Sequence, residues 1–334
     1  MKDVRVDGLA IWARSTDRSI PDSAELTPVS DDASFRRYFR FNGEASGKVF
    51  VDAPPEYEDN ESFVRVADAL GRAGLNCPEV LNASLELGYL VITDLGDRVY
   101  LDEMRSFPEH IDALYDEAVN ALLRMLEVDC DLPHYDEAKL RQEMSLFHEW
   151  FLPQQLNMEV DGKLMAMLEP VYSLLVDNAL MQPQRFVHRD YHCRNLMVMS
   201  EDGPGILDFQ DAVIGPVTYD MVSLYKDCYY RFERSVVVDA VQKFRDRLLQ
   251  RDLVQKQDPV LRWFDLMGAQ RHLKCAGIFS RLNLRDGKSG YLPDIPLVID
   301  YLIEVAGLYP ELAEFSRWLS DEIVPRLRQP EFRR

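Results

Sequence analysis

Hydrophobic and polar positions change their period along this chain. Between residues 35 and 53 the apolar positions come in short strand-like runs. "FRRYFRF" and "KVFVDA" flank the turn "NGEASG", which predicts a β-hairpin. "NESFVRVADALGRAG" then sets Phe63, Val66, Ala67 and Leu70 at helical spacing, and this helix should stop at Gly71 and Gly74. "EVLNASLELGYLVITDLG" returns to strand character and reads as two strands, the second being "YLVI". A short helix over residues 1–14 is expected ahead of them, with Leu9, Ile11 and Trp12 as its apolar contacts. After "DLGD" helical spacing dominates. Helices are predicted over 108–127 and 136–156, short strands and loops near 186–217, and helix again from 218 onward. The expected fold class is α+β: a strand-rich N-lobe over 1–95 and a larger, mostly helical C-lobe over 96–334. A cleft between two such lobes is a natural ligand site.

Composition narrows the partners. No run of about 18 apolar residues occurs, so no membrane span is expected. "MKDVRVDGLAIWARS" lacks the basic start, apolar centre and cleavage site of a signal peptide. Five scattered cysteines without a CxxC pair point to reduced thiols in a cytoplasm. The formal net charge is -19, which repels nucleic-acid phosphates and anionic membranes, so neither is an expected partner. An anionic ligand must then be met by local cations or by metal.

Candidate chemistry concentrates in "FVHRDYHCRNLMV", residues 186–198. Asp190 and Asn195 stand five positions apart, and "GILDFQD", an apolar strand ending at Asp208, follows. This is the layout H-R-D-x-x-x-x-N followed by D-F-G. Phosphoryl transfer needs one carboxylate facing the attacking hydroxyl. It also needs an amide oxygen and a second carboxylate facing a Mg²⁺ that bridges nucleotide phosphates. Asp190 is therefore the candidate catalytic base, and Asn195 and Asp208 are the candidate metal ligands. His188 reads as a buried histidine that holds the loop through a backbone hydrogen bond. His192 and Arg194 either touch phosphate or substrate or face solvent. Cys193 has no activating neighbour and reads as inert. Asp220 is placed to anchor the loop by accepting backbone N–H bonds, and Asp211 is either a support of the site or a turn former.

With these motifs the chain resembles the aminoglycoside phosphotransferase and choline kinase-like superfamily, relatives of the protein kinases. Within it the resemblance is nearest to the bacterial anomeric sugar kinases of cell-wall recycling, which phosphorylate N-acetylmuramate and N-acetylglucosamine at C1. "DASFRRYFR", "DAPPE", "ITDLGD", "HRDYHCRN", "DFQDAVIGPVTYD" and "QRHLKCAGIFSRLNLRDGKSGYL" carry it. The resemblance implies a bilobal protein-kinase-like fold, ATP and Mg²⁺ as cofactors, and an amino sugar as small-molecule partner; it assigns no oligomeric state. It also implies that "TDLGD" is the hinge, where adenine bonds to backbone at Thr93, Asp94 and Leu95.

Some positions depart from the kinase pattern. Set against V-A-I-K, "KVFVDAPP" puts Asp52 where a phosphate-binding lysine should stand. Either Lys48, Arg37 or Arg40 takes over, or the metal carries the load, and Glu61 is left without a sure role. "DDASFRRYF" has no glycine-rich loop; Ser34 and its neighbouring amides cover phosphate, or a strand simply starts there. Gln210 replaces the glycine of D-F-G. The short segment from Asp208 to Asp220 leaves no room for a long activation loop, which favours a constitutively competent kinase for small molecules.

Arg271, Lys274, Arg281, Arg285 and Lys288 form a basic cluster in an acidic chain. It is either a solvated helix face or a set of cations for a lactyl carboxylate or triphosphate. Arg271, Lys274 and Arg281 are the substrate candidates, together with His192 and Arg194. Glu143 and Glu149, near Phe147 and Trp150, either bond sugar hydroxyls or are exposed helix acids. Two rival functions remain on these residues: a kinase of an aminoglycoside or choline-like alcohol, and a nucleotide-binding regulator without transfer.

Overall fold

The structure, a computed structural model, describes residues 3–29, 35–42, 47–200 and 203–333. The chain divides into two compact units: Met1–Asp131 with Cys193–Ala212, and Leu132–His192 with Val213–Arg334.

The first unit opens with α1 (Val4–Thr16), whose N-terminus is capped by Asp3. A five-stranded antiparallel sheet follows, formed by β1 (Leu26–Pro28), β2 (Arg37–Phe41), β3 (Lys48–Asp52), β4 (Val80–Ser84) and β5 (Tyr89–Thr93) in the order β1-β2-β3-β5-β4. The hairpin and the last two strands lie where the apolar pattern predicts them. β1 gave no such signal, because it is three residues long and ends in Pro28, a residue suited only to a sheet edge. Helix α2 (Asn60–Arg72) buries Phe63, Val66, Ala67 and Leu70, and Gly74 beyond it takes φ 70.

Strand alternation decides what each sheet face carries. Register pairs Arg37 with Asp52, Phe39 with Phe50, and Phe50 with Val91. Phe39, Phe41, Phe50, Tyr89 and Val91 pack with Leu9 and Ala13 of α1 in one core cluster. Ile11, expected as a contact of α1, is 69% exposed. It sits two positions past Leu9, about 200° around the helix. The other face carries Arg36, whose guanidinium lies 4.8 Å from the ring centroid of Phe63 on α2.

The expected boundary at 95/96 lies inside this unit. Helices α3 (Tyr100–Ser106) and α4 (Ile111–Met125) are tied to it by backbone bonds from Leu101 N to Cys193 O (3.0 Å) and Val198 N to Arg98 O (2.8 Å). Arg124 Nη1 adds a bond to Gly74 O at 3.1 Å. The strand pair β7 (Leu196–Met197) and β8 (Gly205–Ile206) also belongs here.

In the second unit β6 (Gln184–Val187) pairs with β9 (Val213–Pro216), and helices make up most of the rest. They are α5 (Glu137–Leu146), continued by a π-helical segment to Gln155, α6 (Gly162–Leu180), α7 (Tyr219–Tyr225), α8 (Arg234–Gln250), α9 (Val260–Asp286), α10 (Ile295–Leu308) and α11 (Ala313–Trp318). α9 is the axis, packed by α5, α6, α7, α8 and α10. A helix enclosed this way is buried all round, and Gln270, Arg271, His272 and Lys274 are all buried on it. At Gly277 an added Cβ would lie 2.4 Å from the backbone carbon of Leu146, so glycine there permits the close approach of α9 to the end of α5.

Candidate active site

In the second unit, the loop after β6 holds its course through buried partners. Arg189 adopts φ 78, a left-handed setting that a non-glycine residue keeps only when its surroundings impose it. Asp220, in the first turn of α7, accepts the backbone N–H of His188 at 2.7 Å and that of Arg189 at 2.9 Å. Ser223 Oγ donates to the Arg189 carbonyl at 3.2 Å, and the N–H of Asp190 donates to Nδ1 of the fully buried His188 at 3.3 Å. The backbone leading into Asp190 is thereby held.

The Asp190 carboxylate is 40% exposed, and Arg271 Nη2 lies 3.7 Å from its Oδ1. Burial would push this carboxyl up, but Lys274 and Arg271, with smaller help from Arg189, hold it well below the usual carboxylate range. His192 is buried, its ring edge-on to Tyr229 at 5.2 Å, and burial lowers its pKa to about 3, so it is neutral at physiological pH.

Beneath Asp190 lies a network not expected from the sequence. Glu143 of α5 is buried, pairs with Arg189, accepts from Tyr135 Oη, and lies 3.4 Å from Lys274 Nζ. Gln270 Nε2 donates to Tyr135 Oη at 3.2 Å, and Lys274 Nζ to Tyr219 Oη at 3.3 Å. Burial would raise the Glu143 carboxyl, yet Lys274 and Arg189 bring it below its ordinary value. Glu143 is therefore neither an exposed helix acid nor a group open to sugar hydroxyls. The side chains of Arg189, Lys274 and Arg271 face two carboxylates, Glu143 and Asp190, and Asp220 behind the loop is the third acid of this neighbourhood.

In the first unit, Asn195 Nδ2 lies 3.2 Å from Asp208 Oδ2, and Gln210 Nε2 donates to Asp208 Oδ1 at 2.8 Å. The Asn195 amide can turn to present its oxygen beside the carboxylate. The pair then offers the hard oxygen donors that suit Mg²⁺. No group of three or more His, Cys, Asp or Glu side chains able to hold a metal occurs among the described residues. Two protein ligands with phosphate and water completing the shell is the usual arrangement for this ion. The donor set fits Mg²⁺. Asp211 lies exposed in the turn after Gln210, and Arg194 is exposed.

The structure turns Asp52 away from this pair. Its side chain is fully buried on the α1 face, where Arg5 Nε donates to Oδ1 at 2.7 Å and Arg37 Nε to Oδ2 at 3.1 Å. Of the nucleotide candidates, Arg37 is thus bound to Asp52 and Asp3, and Lys48 to Asp17. Arg40 is bound to Asp94 and Asp97. Strand register explains the pairings of Arg37 and Lys48: positions 48, 50 and 52 of β3 share the face that α1 covers. Arg36, on the other face, pairs with Glu58 at 3.3 Å. At the expected hinge, the N–H of Thr93 donates to Glu79 O (3.0 Å) and that of Asp94 to Gly47 O (2.9 Å). Ser34 lies outside the described residues.

Of the substrate candidates, Arg271 and Lys274 share the neighbourhood of Asp190. Arg281 does not: it stands ten residues further along α9, about 15 Å of helix. Arg285 pairs with Asp286 at 2.7 Å on the exposed end. Tyr135, Tyr219 and Gln270 were missed as site residues, and Glu143 was considered only as a sugar-hydroxyl contact or an exposed acid. An i, i+4 pairing of Gln270 and Lys274 on one helix face was their only sequence signal.

With this geometry described, comparison with known proteins adds the following. Residues 25–265 are similar to the phosphotransferase enzyme family. An N-acetylmuramate/N-acetylglucosamine kinase of Pseudomonas aeruginosa is 46% identical over 301 residues, covering 89% of this chain and 88% of the relative. One of the same name from Pseudomonas putida is 39% identical over 334 residues, covering 96% and 97%. Among solved structures, ADP-bound aminoglycoside phosphotransferase APH(2'')-Ib superposes with a TM-score of 0.57 at 13% identity, over 89% of this chain and 98% of that one. That likeness shows the fold, which is α+β and protein-kinase-like.

Proposed function

The chain belongs to the phosphotransferase enzyme family, and from that premise we propose that it is a kinase transferring the γ-phosphoryl group of ATP to the anomeric C1 hydroxyl of N-acetylmuramate and N-acetylglucosamine, in the cytoplasm, as a step of peptidoglycan recycling. The observation that carries the chemistry is the carboxylate of Asp190, presented on a loop anchored by Asp220 and kept ionised by Lys274 and Arg271. The relatives that share 39–46% identity supply the sugar.

In this reading Asp190 orients the C1 hydroxyl and accepts its proton. That hydroxyl is the most acidic on a reducing sugar, because the ring oxygen withdraws charge from its oxyanion, so a strongly ionised carboxylate suffices as base. Asn195 and Asp208 hold Mg²⁺, which when bound neutralises phosphate charge. Arg271 and Lys274 give the acceptor side cations that an acidic sugar can meet. A polycationic aminoglycoside would meet the same two cations as repulsion. Adenine is assigned to backbone at Leu95, since the N–H groups of Thr93 and Asp94 are already committed.

A screen with labelled ATP tests the assignment. Label should pass to N-acetylmuramate and N-acetylglucosamine and not to kanamycin or choline. Transfer to either of the latter at a comparable kcat/KM would contradict it.

A further inference from the structure

We propose that Gln210, which stands where D-F-G has glycine, is a positioning residue that holds Asp208 in its metal-ligating setting. The proposal rests on the reading of Asn195 and Asp208 as metal ligands. Gln210 Nε2 donates to one carboxylate oxygen of Asp208, at 2.8 Å, while Asn195 lies 3.2 Å from the other. A donor on Oδ1 fixes the rotation of the carboxylate and leaves Oδ2 turned toward Asn195. The opposite amide orientation of Gln210 would set two oxygens against each other, so its partner assigns the nitrogen.

The backbone gives Gln210 something to act on. Asp208 has φ 62, a left-handed setting that persists in a non-glycine residue where neighbours impose it. Phe209 is fully buried and packs on Phe63 of α2 with ring centroids 4.9 Å apart. Ser62 Oγ, also on α2, donates to the Gln210 carbonyl at 3.2 Å. Leu207 N donates to Asn195 O at 3.0 Å, joining the two ligand segments. Gln210 is thus anchored to α2 by its backbone and to the metal ligand by its side chain. Its Oε1 is buried and has no hydrogen-bond partner among the described residues, so one side of the amide faces the protein while its Nε2 faces the Asp208 carboxylate. Glycine at this position would remove this donor to Asp208 Oδ1. Hydrogen bonds that orient a ligating carboxylate are worth about 10- to 100-fold in metal affinity.

Calorimetric titration of ADP into the full chain, across a Mg²⁺ series and in EDTA, tests this. In the wild type Mg²⁺ should tighten ADP, and the half-effective Mg²⁺ concentration is the reference. Gln210→Leu should raise that concentration by about 10- to 100-fold while leaving ADP affinity in EDTA and the KM for sugar unchanged. Gln210→Met, which keeps the side-chain length and lacks the amide, should do the same and serves if leucine disturbs the packing. An unchanged Mg²⁺ requirement in a folded variant overturns the proposal, as does an equal loss of ADP binding with and without metal. Wild-type ADP binding that ignores Mg²⁺ would instead remove the metal-ligand reading beneath it.

Discussion

Asp190 and Asp220 are two carboxylates with different tasks: one must stay ionised to accept a proton, the other must hold the loop that presents it. Asp190→Asn keeps size and removes the base. It should lower kcat by about 100-fold or more with ATP binding retained in a direct titration. Near wild-type turnover would remove the role. Asp220 carries the pH dependence. Burial, ahead of the opposing pull of His188 and of two N–H bonds, pushes its carboxyl up to about 6 from 3.8. Because the folded value is the higher one, proton uptake favours the folded chain; that contribution is complete below about 4 and is lost as pH rises through about 6. Catalysis runs the other way, since the ionised oxygens hold both N–H groups. kcat should therefore fall as pH drops through about 6, and Asp220→Asn should remove this limb while lowering kcat throughout. A limb that persists in the variant belongs to another group. The spacing of Asp190, Asn195 and Asp208 was legible because it is local to the chain. Glu143 was not: its burial and its partners, Arg189 and Lys274, come from distant segments packed on α5.

At the scale of elements, the hairpin, α2 and the last two strands of the sheet were legible from apolar spacing, whereas the face on which Asp52 lies was not. A one-residue difference in register reverses every side chain of a strand, and position 52 is claimed by two arginines, Arg5 of α1 and Arg37 of β2. Restoring the kinase consensus with Asp52→Lys should therefore not improve ATP binding. It sets a third cation beside Arg5 and Arg37 and should lower stability by about 2–3 kcal/mol, less than for a wholly buried pair because both arginines are partly exposed. A denaturant titration measures it, and a variant that gains ATP affinity without losing stability would contradict the placement. Between α9 and α5, Gly277→Ala should destabilise by about 1–3 kcal/mol through overpacking against Leu146, read as a lowered Tm. An unchanged Tm would mean that the two helices separate freely.

For the whole molecule, a net charge of -19 surrounds a site that keeps two buried cations, Arg271 and Lys274, beside Asp190 and Glu143. Long-range repulsion then acts on an anionic sugar before local attraction does. At saturating ATP, raising ionic strength from about 0.01 to 0.15 M shortens the screening length from about 30 to 8 Å. This should raise kcat/KM for N-acetylmuramate and leave that for the neutral N-acetylglucosamine flat. Parallel responses would mean that the lactyl carboxylate is not felt. Arg271→Glu should weaken N-acetylmuramate far more than N-acetylglucosamine if that cation meets the carboxylate, and equal losses would assign it to phosphate or to packing. The most direct test of the account is where the phosphate goes. Phosphorus–proton coupling measured by NMR on the product of N-acetylmuramate should connect the phosphate to the anomeric proton, and the methyl glycoside, which lacks a free C1 hydroxyl, should give no product. Coupling to the C6 protons, or turnover of the methyl glycoside, would contradict it.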